Sequence, residues 1–214
     1  MNNQLMQSIT KEKLLFEPWI GSQYGSDSLF GISILVVGES NYTDNQDREL
    51  PHNTFTHRLI EDAIDGCQKH RFFKYIRRTF MDDVSPKAFW HSVAYQEYIQ
   101  DWLPCPGVSP DEEMWQKAKP LFQDVVNELK PQCILFVSKG VYDRASKNFS
   151  DATSLTICDD VALRIYKPSH PTVQIHQSLA SWIYHPSSRR GGFRRPRPVV
   201  KALVEAAGGR LSKT

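Results

Sequence analysis

An α/β domain with a mostly parallel sheet is what this 214-residue chain predicts, and three observations carry that prediction. Continuous apolar runs recur, in GISILVVGES at 31–40, QCILFVSKG at 132–140 and SWIYHP at 181–186, the pattern of strands buried on both faces. Segments with helical spacing separate them. Each apolar run ends in a short polar or glycine-bearing turn. Alternating strands and helices build a layered α/β domain, in which ligands gather at the carboxyl ends of the parallel strands.

The elements follow in order. THRLIEDAID at 56–65 places Leu59, Ile60, Ala63 and Ile64 on one helical face. RFFKYIRRTF at 71–80 reads as a second helix. FWHSVAYQEYIQ at 89–100 fits helix or strand, and the residues leave both open. Ser109, Pro110 and Glu112 form a helix start, with serine as N-cap, proline at the first position and glutamate three residues after the cap. That helix is expected to reach about Lys130, with a kink at Pro120. LTICDDVALRIYKP at 155–168 predicts strand, turn and strand, and PVVKALVEAAGG at 198–209 predicts a terminal helix stopped by Gly208.

Composition narrows the function classes. Forty per cent hydrophobic and 23 per cent charged residues are globular proportions. No apolar run approaches the ~20 residues of a membrane span, and the first residues lack the pattern of a secretion signal, so a cytoplasmic protein is expected. Cys67, Cys105, Cys133 and Cys158 are scattered, without the close pairs of a metal site or a disulfide framework. The expectation is therefore no metal and no cofactor. Charge is uneven: residues 169–214 carry eight Lys/Arg against one acid, a local +7 within a chain of net +2. That imbalance points to an anionic partner near the C-terminal segment.

Two turns concentrate chemistry-bearing residues. GESNY, from Gly38 to Tyr42, follows the first strand, and HPSSRRGGF, from His185 to Phe193, follows the last. A carboxylate on one strand end and an imidazole on another suit cleavage of an N-glycosidic bond, which needs a carboxylate near the sugar and donors for the departing base. The serines and glycines of the second turn let backbone N–H groups approach phosphates, and its arginines add charge. SHPT at 169–172 holds a rival His-Pro pair at His170, but no apolar strand precedes it.

With this order and these residues, the chain resembles the uracil-DNA glycosylase superfamily, whose members carry a first motif such as GQDPY or GEAPG and a later HPS-like motif. The resemblance implies one domain over 1–214, with 1–30 as an N-terminal extension. It implies three layers, α/β/α, around a four-stranded, mostly parallel sheet. By position, Glu39 matches the water-activating glutamate and His185 the histidine that steadies the leaving base. Gln96 falls near the asparagine that reads the base, and Phe55 stands as the stacking aromatic. Ser40, Asn41 and Tyr42 complete the base-binding set. Ser187, Ser188, Arg189, Arg190 and Arg194 would hold DNA, with Arg189 at the wedge position.

The implied activity is removal of uracil or another damaged base from single- or double-stranded DNA by a monomer. The sequence also departs from the motif: Ser40 replaces the acid or asparagine of several branches, and Asn41 replaces a proline. The alternative is a glycosylase-fold protein that binds nucleic acid, a free base or a nucleotide without cleaving. Each residue has a plainer reading too: Glu39 as a turn cap, His185 as a structural histidine, Phe55 as core, and the arginines as a solvated face.

Overall fold

The computed structural model of the protein describes residues 13–42, 52–67, 71–145, 149–156, 162–166, 178–186 and 188–211. Its centre is a seven-stranded sheet, wider than the four strands expected. Strand β1 is Trp19–Ile20, β2 Ile34–Gly38, β4 Ala94–Glu97, β6 Cys133–Phe136, β7 Phe149–Thr156, β8 Ala162–Tyr166 and β9 Ser178–Trp182. They stand in the order β1-β4-β2-β6-β9-β8-β7. β4, β2, β6 and β9 pair in parallel. β1 adds to one edge antiparallel, and the β7–β8 hairpin adds to the other through an antiparallel β8–β9 pairing. A separate two-stranded parallel sheet joins β3 (Asn41–Tyr42) to β5 (Trp102–Leu103).

Helices cover both faces of the sheet. They are α1 Phe55–Asp65, α2 Arg71–Phe80, α3 Pro86–Ser92, α4 Glu112–Leu129, α5 Lys139–Ala145 and α6 Arg197–Ala206. Strand alternation divides β2 between two cores. Ile34 and Val36 pack with Ile60, Phe73, Phe89 and Leu203, from α1, α2, α3 and α6. Leu35 and Val37 pack with Phe122, Val126 and Tyr142, from α4 and α5. Every residue of β2, β4 and β6 is buried, which is why β2 and β6 read as unbroken apolar runs. From residue 13 onward, the expected N-terminal extension contributes Phe16, Trp19 and Phe30 to the interior.

Several local expectations need correction. The segment 89–100 is both helix and strand: α3 ends at Ser92 and β4 begins at Ala94. Asp111, not Ser109, caps α4, accepting the Met114 N–H at 2.8 Å. That register lets the buried Trp115 donate its indole N–H to the Pro110 carbonyl at 3.2 Å. The helix continues through Pro120, which stands on its exposed side. The second apolar run ends as strand at Phe136, and Lys139 and Gly140 open α5 instead. The turn expected between β7 and β8 lies outside the described residues.

α4 closes on Lys130 with φ +45°, the sole non-glycine residue among those described in the left-handed region. Its N–H bonds the Val126 carbonyl at 2.9 Å. A β-carbon is penalised there and glycine is not. Lys130→Gly is expected to raise the unfolding free energy by about 0.5–1 kcal/mol in urea denaturation. A loss of stability would contradict this view of the cap.

Candidate active site

Four strand ends meet at the carboxyl edge of the parallel core, and each delivers a polar side chain there. Glu39 follows β2 and is half-buried. Ser138 follows β6 and donates its hydroxyl to Glu39 Oε2 at 2.8 Å. The same serine starts α5, its carbonyl accepting the Tyr142 N–H at 3.2 Å. One residue therefore ties the glutamate to a helix start and fixes its direction.

His185 follows β9 by three residues. Its ring stacks on Phe72 of α2, centroids 4.9 Å apart and planes 27° from parallel. The residue as a whole is exposed to solvent. Desolvation by the atoms around the ring nevertheless holds its pKa below the ordinary histidine value, with the negative charge of Glu39 pulling the other way. At pH 7 His185 is therefore neutral, with one N–H to donate.

The chain turns sharply after this histidine. The His185 carbonyl accepts the Ser188 N–H at 2.8 Å, and the Pro186 carbonyl accepts the Gly192 N–H at 2.9 Å. A β-carbon on Gly191 would overlap the His185 carbonyl oxygen, so only glycine permits the fold-back. Ser188, Arg189, Arg190 and Arg194 are exposed on this loop. The Arg190 guanidinium lies 5.8 Å from the Tyr184 ring centre, and Tyr184 packs edge-on to Trp182 at 5.0 Å. Arg78 and Arg194 flank Phe193, at 3.6 and 5.7 Å from its ring centre. Ser187 and the rival His170 lie outside the described residues.

The fourth strand end holds a residue the sequence reading passed over. Glu97 closes β4, is 5% exposed, and accepts the Tyr95 hydroxyl on Oε1. It stands in register with Gly38, immediately before Glu39. A β-carbon on Gly38 would overlap Glu97 Oε2 and the Tyr95 hydroxyl, so the first motif needs its glycine to admit this carboxyl. Burial pushes the Glu97 pKa up to about 7; the Tyr95 hydrogen bond opposes that rise and the Glu39 charge adds to it. A glutamate inside a strand buried on both faces is an informative polar residue, but with helix and strand both open over 89–100 the sequence does not mark it as one.

The remaining expected residues divide between two places. Gln96 is fully buried, and neither its amide oxygen nor its nitrogen has a hydrogen-bond partner among the described residues. It shares a face with Ala94, toward α4 and α5, whereas Tyr95 belongs to the core on the other face and Glu97 follows it by strand alternation. The Ser40 hydroxyl and the Asn41 amide nitrogen are also buried without partners among the described residues, and Tyr42 is exposed. Phe55 is 7% exposed and packs edge-on to Trp102 at 4.6 Å. The ring found against His185 is Phe72, which a helical reading of 71–80 could not distinguish from core.

Among the described residues, no helix is long and apolar enough to cross a membrane, and no cluster of three His, Cys, Asp or Glu side chains is placed to hold a metal ion. The chain matches no protein-family model and no curated protein sequence.

Proposed function

We propose that the chain is a DNA glycosylase-like hydrolase of the uracil-DNA glycosylase type, acting on uracil or another damaged base in DNA. The observation that carries this reading is that Glu39 and His185 stand at the carboxyl ends of the first and last parallel strands, close enough for the glutamate charge to act on the imidazole. The four contiguous parallel strands support a glycosylase-like sheet within the wider one.

The chemistry follows from the groups present. Glu39, held by Ser138, takes a proton from water as the water oxygen bonds to the sugar C1′. The C1′–N bond breaks, and its electron pair leaves with the base. Neutral His185 donates its N–H to the anionic base, a stabilisation worth a few kcal/mol in a preorganised site. The proton on Glu39 then returns to the base or to solvent. The base must leave the helical stack first, at a cost of a few kcal/mol. The exposed arginines with Trp182, Tyr184 and Phe193 give phosphates and bases something to rest against.

Strand scission after alkali treatment of uracil-containing single- and double-stranded oligonucleotides is the expected result. Intact strands where a control glycosylase cuts would overturn the reading for uracil. A second reading rests on Ser40, whose buried hydroxyl, without a partner among the described residues, replaces the acid or asparagine of several branches. On that reading the protein binds nucleic acid, or a free base, without cleaving, and Glu39→Ala leaves binding intact with no abasic product.

The basic loop yields its own test. Each phosphate contact contributes about 0.9 to the slope of log affinity against log salt on duplex DNA. Arg189→Ala with Arg190→Ala is expected to flatten that slope by about 1–2, measured by fluorescence anisotropy. An unchanged slope removes these arginines from the interface.

A further inference from the structure

We propose that Glu97 is a positioning residue of the site: it carries the proton of a two-carboxyl pair with Glu39, so that a single negative charge, on Glu39, faces the substrate. This rests on the glycosylase reading for its consequence in catalysis, though not for the pairing itself.

Three geometric facts place Glu97 in that role. Parallel register sets it beside Gly38, one residue from Glu39. Gly38 has no side chain, and the Glu97 carboxyl and Tyr95 hydroxyl occupy the space a β-carbon would need. The carboxyl is 5% exposed, and its one hydrogen bond among the described residues comes from Tyr95. No Lys or Arg pairs with it there. Burial without a cation disfavours ionisation, and the nearby Glu39 charge disfavours it further.

The titratable groups facing Glu97 are Tyr95 on its own strand and Glu39 on β2, with His185 beyond Glu39. Tyr95 is fully buried and its pKa is pushed well above the ordinary tyrosine value by burial, so it stays protonated and donates throughout. His185 titrates below the ordinary histidine value, held there by desolvation against the pull of the Glu39 charge. Glu97, its pKa pushed up to about 7, changes charge near neutrality. Once ionised, it sets a second negative charge beside a site that must hold phosphates and a departing anionic base. Two like charges close together oppose that work, and loss of the proton switches the site down.

The test joins a titration to a rate profile. Carboxyl carbon NMR of protein labelled in glutamate, with Glu97→Gln to assign the signal, is expected to show Glu97 titrating near pH 7. In Glu39→Gln the midpoint is expected to move lower, because the neighbouring charge is gone. Single-turnover base release from a uracil-containing oligonucleotide is expected to fall about tenfold per pH unit above the Glu97 midpoint, and Glu97→Gln to abolish that fall. A carboxyl midpoint near the ordinary value, an unmoved midpoint in Glu39→Gln, or an alkaline fall that persists in Glu97→Gln would each overturn the proposal. If no oligonucleotide is cut at any pH, the glycosylase reading fails, and the two NMR midpoints decide the pairing by themselves.

Discussion

Glu39→Gln is expected to lower base release by about 10²- to 10⁴-fold under single-turnover conditions, with oligonucleotide affinity changed by less than about threefold. Converted to a barrier, that is about 3–5 kcal/mol. The substitution keeps the shape of the side chain and an oxygen to accept the Ser138 hydroxyl, so the turn between β2 and β3 keeps its anchor. What it removes is the ability to take a proton from water. Loss of affinity in step with the rate would mean that Glu39 works in binding or in holding the turn. An unchanged rate would exclude it from the chemistry.

Stability should depend on pH with a sign opposite to that of an ordinary surface carboxylate. Glu97 has a folded pKa raised to about 7 against an ordinary 4.5, so the folded state holds its proton more tightly than the unfolded chain. Its contribution is fully present below about pH 4.5 and is lost as pH rises through the range up to about 7. At 1.36 kcal/mol per unit of difference, the loss is about 3 kcal/mol at most. Glu97→Gln mimics the neutral acid and can still accept the Tyr95 hydroxyl. The variant should therefore be about 2–3 kcal/mol more stable than the wild type at pH 8, and nearly equal to it at pH 4.5, in urea unfolding. His185, with its lowered pKa, adds an opposite trend below about pH 6.5, but it is common to both proteins and cancels in their difference. A variant less stable than wild type at pH 8 would mean that Glu97 is ionised at no cost to the fold.

The parts of this architecture that could be read from the sequence are those where burial leaves no choice. β2 and β6 are buried on both faces, so their apolar runs are continuous and their ends are sharp. Glu39 directly follows one such run, while His185 stands three residues beyond the partly buried β9. The edges were harder. β1 has two residues, too few for any periodicity to register, and the hairpin of β7 and β8 lengthens the sheet without changing its parallel core.

The site shows a subtler limit. In YQEY, a shift of one residue exchanges the two faces of a strand. With helix and strand both open over 89–100, the sequence could not say that Gln96 turns toward α4 while Glu97 turns toward Tyr95 and Gly38. Phe72 and Phe73 pose the same problem on a helix. Phe73 enters the core and Phe72 meets His185, yet neighbouring phenylalanines look alike until the helix is docked. The cap of α4 was misplaced because Ser109 and Asp111 both offer a side-chain acceptor, and burial of Trp115 decides between them.

On the proposed function, Glu39 and His185 act together on a base released from DNA. The most direct measurement is single-turnover release from a uracil-containing single-stranded oligonucleotide by the wild type, Glu39→Ala and His185→Ala at pH 6.5. Release by the wild type that collapses by about 100-fold or more in both variants, with binding retained, is the predicted result. Release that survives in both variants, or tight binding by the wild type with no release, would contradict it.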